Sequence, residues 1–273
     1  MTAFRAACVQ LRSSNDVAEN IRAASVLIRE AKARGADFIA TPENTTLMAP
    51  DGGSKLERSF SEQTDPALPA FRALAAELGA WLLIGSLAIK VSDAKTANRS
   101  FLIDSKGAIA ARYDKIHLID VDLPSGEKYR ESNTVAGGGR AVTADLPWGK
   151  IGLSVCYDLR FPQLYRTLAQ AGALLLTVPS AFTETTGKAH WHVLLRARAI
   201  ENGAFVLAPA QGGTHAGGRK TYGHSLIVAP WGEVLAEAGT DPGVIVADID
   251  PARAADARAR IPNLKHDRLF EAP

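Results

Sequence analysis

The stretch IGLSVCYDLRFPQLYRTLAQAG, residues 151–172, most constrains what this chain can fold into. Ile151–Val155 is a short unbroken apolar run and reads as a buried strand. Phe161–Ala171 reads as a helix with Pro162 in its first turn, where the missing N–H is no loss. Cys156 sits on the seam between them. A cysteine on a strand-to-helix turn lies near the positive end of the helix dipole, which favours the thiolate, the nucleophilic form. A lone cysteine in an apolar segment is more often a small core residue than a nucleophile, so the rest of the chain must decide.

The same alternation repeats along the chain. Phe4–Leu11 reads as a strand and Asp16–Arg34 as an amphipathic helix, with Val17, Ile21, Ala24, Leu27, Ile28 and Ala31 on one stripe. Gly35 stops that helix, and Asp37–Thr41 follows as a strand. Pro66–Leu78 is a helix ended by Gly79, and Trp81–Ile89 a strand. Arg99–Ile103 and Ile109–Tyr113 pair around the turn Asp104–Gly107. Leu174–Val178 and Ala204–Pro209 are further strands, with the helix His190–Asn202 between them. Ser225–Ala229 and Glu233–Ala238 form a hairpin; Gly243–Ile249 is the last strand and Pro251–Arg260 the last helix. Single strands, hairpins and helices mixed in this way predict one α/β domain over residues 1–273, with helices covering sheet faces. Two long loops, Met48–Thr64 and Val121–Arg140, interrupt the pattern, and long loops inside a domain tend to be functional.

Composition removes several classes of function. The 31 basic residues nearly balance the 29 acidic ones, and no basic run stands out, so nothing favours nucleic acid or an anionic membrane. No stretch approaches the roughly 18 uninterrupted apolar residues of a membrane span. The start MTAFRAACVQLRSS has no long apolar core behind a basic end. Cys8 and Cys156 have no metal-knuckle or redox spacing, and two cysteines make no disulfide scaffold, so a reducing, cytoplasmic setting is expected. No GxGxxG or phosphate loop occurs, and no cofactor is expected. Neither is a metal: His190 and His192, two apart on a helix, do not share a face.

Three polar residues stand at strand ends. Glu43 follows Asp37–Thr41 in DFIATPEN, Lys115 follows Ile109–Tyr113 in ARYDKIHL, and Cys156 follows Ile151–Val155. Ligands of α/β sheets bind at the carboxyl ends of strands. Alone, either charge reads as surface. Together the three are chemically complementary. A thiol needs a base, and its leaving group an acid; a carboxylate shielded from water has a raised pKa and serves as both. A nearby ammonium favours the thiolate and stabilises an oxyanion, helped by the N–H of the residue after the nucleophile. Such a set describes acyl transfer through a thioester.

At this point the chain resembles the nitrilase superfamily of carbon–nitrogen hydrolases. TPEN, YDKIHL and GLSVCYDLRFPQLYR are similar to its three signature regions, in the family's order, and the likeness runs from AACVQL to ADIDPAR. The resemblance implies Glu43 as general base, Lys115 as oxyanion-stabilising lysine and Cys156 as nucleophile. It places the family's second glutamate on Glu131 in YRESNT, positioning the lysine and substrate. It also implies a single-domain αββα four-layer sandwich, two mixed sheets face to face with helices outside, and homodimers or higher homo-oligomers. The segments Arg160–Gln170 and His190–Asn202 are the candidate interface.

Within the superfamily, CYDLRFPQLYR, PSAFTETTGKAHW, LLRARAIENGAFVLAPAQ and YGHSLIVAPWGEVLAEAG resemble the Nit branch. That branch implies a small-molecule amide as substrate, one bearing a 2-oxo group or a carboxylate, cleaved at a terminal amide with release of ammonia. Deaminated glutathione is favoured by the YGHS form and the insert Gly212–Lys220; 2-oxoglutaramate, N-carbamoyl compounds and nitriles stand as alternatives, as does a binding member with weak hydrolysis. Arg160, four residues past Cys156, is either a fork for a substrate carboxylate or a structural ion-pair partner. Phe182 either lines the pocket or packs the core, and Tyr157 and Thr186 complete the expected substrate contacts. One departure stands out. The branch usually reads HWE where this chain reads His190-Trp191-His192, which is expected to alter the charge near the lysine. His117 and His224 read as pocket or structural residues, and Cys8 as core.

Overall fold

Along the first strand successive side chains point to opposite faces, and both faces are apolar. Ala6 and Cys8 enter one core, Ala7 and Val9 another. A strand buried on both sides needs a layer against each. The computed structural model, which describes residues 2–122, 126, 128–271 and 273, supplies both.

The elements run in chain order from β1 (Phe4–Gln10), α1 (Val17–Ala33), β2 (Phe38–Ala40), α2 (Gly52–Glu57) and α3 (Ala67–Leu78) to β3 (Trp81–Lys90), β4 (Thr96–Ile103) and β5 (Ile109–Asp114). Short strands follow: β6 (Asp120–Asp122), β7 (Lys128–Arg130), β8 (Val135–Ala136), β9 (Val142–Leu146) and β10 (Gly149–Leu153). Then come α4 (Pro162–Gln170), β11 (Ala173–Thr177), α5 (Glu184–Asn202) and β12 (Phe205–Ala208). The chain closes with β13 (Gly212–Thr214), β14 (Lys220–Tyr222), β15 (Leu226–Val228), β16 (Val234–Glu237), β17 (Gly243–Ile249) and α6 (Pro251–Arg260).

Among the described residues two sheets dominate. One is ordered β17-β1-β2-β3-β4-β5 with β8 beside β4, the other β16-β15-β12-β11-β10-β9. Both are mixed: β1, β2 and β3 run parallel, whereas β17 is antiparallel to β1 from Phe4 opposite Ile249 to Gln10 opposite Gly243. On the outer face of the first sheet, Ile28 of α1 and Phe71 and Leu74 of α3 pack with Ile39, Leu82 and Phe101. Its inner face, with Phe38, Leu83 and Leu102, shares a core with Ile151, Leu153 and Leu175 of the second sheet. Leu168 of α4 and Trp191, Leu195 and Ala199 of α5 cover the far side of that sheet. The result is the four-layer αββα sandwich that the sequence implied. No helix among the described residues is long and apolar enough to cross a membrane.

Several boundaries differ from the sequence reading for local reasons. The helix expected at His190 begins at Glu184, capped by the Thr183 side chain, which accepts from the Thr186 N–H. Gly187 masks the periodicity there. It is required because a Cβ would come 2.3 Å from Cγ of Tyr222, where β14 crosses the helix. The strand read as Ile151–Val155 runs Gly149–Leu153, because Ser154 turns its hydroxyl to Thr177 O and Tyr165 Oη instead of continuing the ladder. The loop Met48–Thr64 contains α2, and Val121–Arg140 contains the β6–β7 hairpin and β8, with residues 123–125 and 127 outside the described set.

A bulge in β3 fixes the approach of the two sheets near Glu43. The β3–β4 register shifts between Ile84 and Leu87. There the Ser86 hydroxyl accepts from Asn44 N at 2.9 Å and the Ser86 carbonyl from Thr45 N at 2.9 Å. A Cβ on Gly85 would lie 2.0 Å from Thr41 O and 2.6 Å from Pro179 Cβ, so only glycine lets the segments after β2 and β11 meet across it. Gly85→Ala should therefore lower stability by about 1–3 kcal/mol in chemical denaturation. It should also lower kcat, because the Glu43 segment must shift; an unchanged denaturation midpoint and kcat would refute this.

Candidate active site

The three strand ends converge between the sheets. Glu43, three residues beyond β2, Lys115, directly beyond β5, and Cys156, beyond β10, are 3%, 1% and 7% exposed. Lys115 Nζ donates to Glu43 Oε1 at 2.9 Å and to Glu131 Oε2 at 2.9 Å. Asn98 Nδ2 donates to both carboxylates, at 2.8 Å to Glu43 and 3.2 Å to Glu131. The Ala181 N–H donates to Glu43 Oε2 at 2.9 Å, and the Ile119 N–H to Glu131 Oε2 at 2.9 Å. One lysine thus stands between two carboxylates whose oxygens are pinned by fixed donors.

Burial sets the protonation states. It opposes charge on Lys115, but Glu131 and Glu43 outweigh it and hold the ammonium well above its ordinary range. Burial also opposes charge on Glu43, yet Lys115, by charge and hydrogen bond, brings that carboxyl down to about 2. The Cys156 thiol, which bonds to Glu43, is pushed up by burial and by that carboxylate, against the pull of Lys115. Two expectations are corrected here. The thiol is pushed up rather than down and its carboxylate partner is drawn down rather than up, because Lys115 bonds directly to the glutamate while burial and that glutamate act on the thiol.

The turn carrying Cys156 is also not the predicted one. Cys156 opens a 3₁₀ turn, Cys156–Arg160, and α4 begins only at Pro162, so the dipole of α4 does not act directly on the sulfur. The turn is built on Asp158, which is wholly buried. Its carboxylate accepts from Val155 N at 2.9 Å, Tyr113 Oη at 2.6 Å, His117 N at 3.0 Å and His117 Nδ1 at 2.7 Å. Those bonds hold Cys156 at φ 49°, a left-handed conformation costly for a residue with a side chain, and the thiol is thereby exposed to Glu43. His117, stacked on Phe161 at 3.6 Å, belongs to this support.

A cavity of about 530 Å³ opens over Cys156. All four expected contact residues line it: Tyr157, Arg160, Phe182 and Thr186. Among the described residues Arg160 has no carboxylate partner. Its guanidinium lies 5.3 Å from the Phe182 ring centre and 5.9 Å from that of Tyr157, with His190 Nδ1 at 3.3 Å. Phe182 serves both readings, lining the cavity and packing at 5.1 Å against Trp191. The loops Met48–Thr64 and Val121–Arg140 and the insert Gly212–Lys220 all reach the wall, through Lys55, Tyr129 and Arg219.

Lys55, Asn98 and Arg219 escaped the sequence reading. Lys55 donates to Asn44 Oδ1, and burial pushes its ammonium down to about 8 despite Glu131 and Glu43. Arg219 donates to Ala181 O at 3.1 Å and stacks on Tyr129, but its buried Nε has no hydrogen-bond partner among the described residues. Asn98 falls just before the strand read as Arg99–Ile103, between Ala97 and Arg99, and carried no signal of its own. His192, conversely, is not at the lysine. Its Nε2 lies 2.9 Å from Glu237 Oε1, outside the cavity wall, so it leaves the charge around Lys115 unaltered. Cys8 is core, as expected, with its thiol pushed up by burial.

Comparison with known proteins agrees with this arrangement. The family model described as carbon-nitrogen hydrolase matches residues 5–259. The chain is 42% identical to the deaminated glutathione amidase of Synechocystis sp., over 99% of this chain and 100% of that protein. The C. elegans NitFhit protein superposes with a TM-score of 0.91 at 36% identity, over 97% of this chain and 65% of that longer one. An amidase from Nesterenkonia sp., crystallised after acrylamide had added to its active-site cysteine, superposes with a TM-score of 0.80 at 27% identity, over 95% of this chain and 98% of that one.

Proposed function

The chain belongs to the carbon–nitrogen hydrolase family, and on that premise we propose that it is a thiol amidase whose nucleophile is Cys156 and whose substrate is a small acid of the deaminated glutathione class. The observation that carries this reading is the buried contact of a thiol, an ionised Glu43 and a lysine held charged between two carboxylates.

Because the resting sulfur is protonated and Glu43 is a weak base, a free thiolate is not the starting point. Sγ attacks the amide carbonyl as its proton passes to Glu43, so C–S bond formation supplies the driving force that the isolated transfer lacks. The tetrahedral oxyanion takes the Lys115 ammonium and the Tyr157 N–H as donors. Glu43 hands the proton to the leaving nitrogen and the C–N bond breaks. A water, deprotonated by Glu43, then attacks the thioester, releasing the acid and restoring the thiol. Glu131 keeps Lys115 charged and aimed throughout. From a primary amide the leaving group is ammonia; deaminated glutathione has only secondary amides and gives an amine.

The cavity wall offers two sets of cations. Arg160, free of any carboxylate among the described residues and backed by Phe182, fits one carboxylate. Lys55 and Arg219, whose Nε has no partner among the described residues, fit a second. We place the protein in the cytoplasm, supported by two cysteines that are both free thiols. We also take it as one domain over residues 1–273, supported by a shared inner core, and as a homodimer through α4 and α5, supported by the exposed Val193 and Ile200.

Three outcomes test the proposal. During turnover, intact mass should show an acyl adduct that Cys156→Ala lacks, with ammonia or amine release falling at least about 10³-fold; normal release by Cys156→Ala would end the thiol mechanism. For a dicarboxylate substrate, KM should rise roughly tenfold as pH passes upward through about 8, since Lys55 is charged below that value and neutral above it. Lys55→Arg should flatten that rise, and a wild-type profile in Lys55→Gln would remove Lys55 from binding. Sedimentation should give twice the 29.0 kDa chain mass, reduced to one chain by Val193→Glu; a monomeric wild type would reject the dimer.

A further inference from the structure

His192, whose ring stands where the Nit branch carries an acid, has its own partners away from the cavity. Its Nε2 is 2.9 Å from Glu237 Oε1, and His224 Nδ1 is 2.9 Å from the same oxygen. A carboxylate only accepts, so both ring nitrogens are N–H donors aimed at one point. The three residues come from three places: His192 from the middle of α5, His224 from the turn before β15, and Glu237 from the end of β16. His190, which shares no helix face with His192 and faces Arg160 instead, takes no part in this set.

We propose that His192, His224 and Glu237 form a binding site for a divalent transition ion of the zinc type. The three donor atoms all lie within 4.8 Å of one another. A tetrahedral zinc with bonds of about 2.0–2.2 Å needs its donors about 3.4 Å apart, so as the ion replaces the two shared protons each 2.9 Å His–Glu separation opens by about half an ångström and the two ring nitrogens, which lie within 4.8 Å, adjust to the same spacing. Two imidazoles and one carboxylate are the donor set that zinc, nickel and copper prefer to calcium or magnesium. The residues are half-buried to exposed, which leaves the fourth position to water.

The site is built rather than accidental. His224 is held at φ 53°, a region that a side chain normally avoids. Its amide donates to Gly239 O at 2.8 Å and its carbonyl accepts from Trp191 Nε1 at 2.8 Å, which fixes the strained backbone from both sides. Tyr222 stacks on the His224 ring at 4.3 Å and meets the His192 ring edge-on at 5.9 Å. An ion here clamps α5 to the β15–β16 hairpin. Through Trp191, which packs on Phe182, the clamp also braces one wall of the substrate cavity.

The test uses the full chain without a polyhistidine tag, in a Cys156→Ala background that removes the thiol as a competing zinc ligand. Zinc sulfate is titrated calorimetrically into chelator-treated protein, and the thermal midpoint is recorded with and without zinc. One zinc per chain and a higher midpoint are expected. His192→Gln, and separately His224→Asn, which tolerates the left-handed backbone, should each weaken binding at least tenfold and abolish the midpoint shift. Absence of stoichiometric binding in the background protein, or retention of it in either double variant, overturns the site.

Discussion

Everything at the centre of this protein depends on one buried cation. Lys115 is 1% exposed, and its charge survives there because Glu43 and Glu131 flank it. An uncompensated buried charge costs about 3–5 kcal/mol, so Lys115 needs at least one of the two glutamates to remain charged in the fold, even before chemistry is considered. Burial first, and the Glu43 carboxylate after it, push the Cys156 thiol up against the pull of Lys115. A thiolate would add another anion to the same dry space. In the mechanism we propose, the thiol is therefore latent, and the arriving carbonyl, which takes up negative charge beside Lys115, eases its deprotonation.

The lysine in turn explains why two sheets are needed. Glu43 and Lys115 leave strands of the first sheet, Cys156 leaves the second, and Ala181, whose N–H pins Glu43, follows the second sheet's β11. The gap between those strand ends is set by Gly85, where Thr41 O and Pro179 Cβ come together. Fold and site are the same constraint viewed at two scales: the sheets can stack only as closely as glycine permits, and at that spacing the carboxylate meets the thiol.

Much of this was legible in the sequence, for physical reasons. Buried strands announce themselves as apolar runs, and a charge directly after such a run has few structural excuses. Glu43, Lys115 and Cys156 were therefore readable. What stayed hidden depended on contacts between distant segments. Lys55 rides on α2, a six-residue helix inside a polar loop with no apolar stripe to betray it. Arg219 lies in a glycine-rich insert whose path no periodicity encodes. The protonation states were misread because the pull of Lys115 on Glu43 against Cys156 is a matter of distance, which spacing along the chain does not carry.

Helix α5 shows how one element serves both the cavity and the opposite surface. Its first turn places Thr186 at the cavity, and Gly187 lets Tyr222 cross so closely that β14 lies against the helix. One turn on, Trp191 is fully buried, with its ring on Phe182 and its N–H on His224 O. The next residue is His192, facing Glu237. Helical geometry sends adjacent residues about 100° apart, so Trp191 and His192 necessarily address different surroundings. Trp191 therefore braces the cavity wall through Phe182, while His192 addresses Glu237 on the opposite side, away from Lys115.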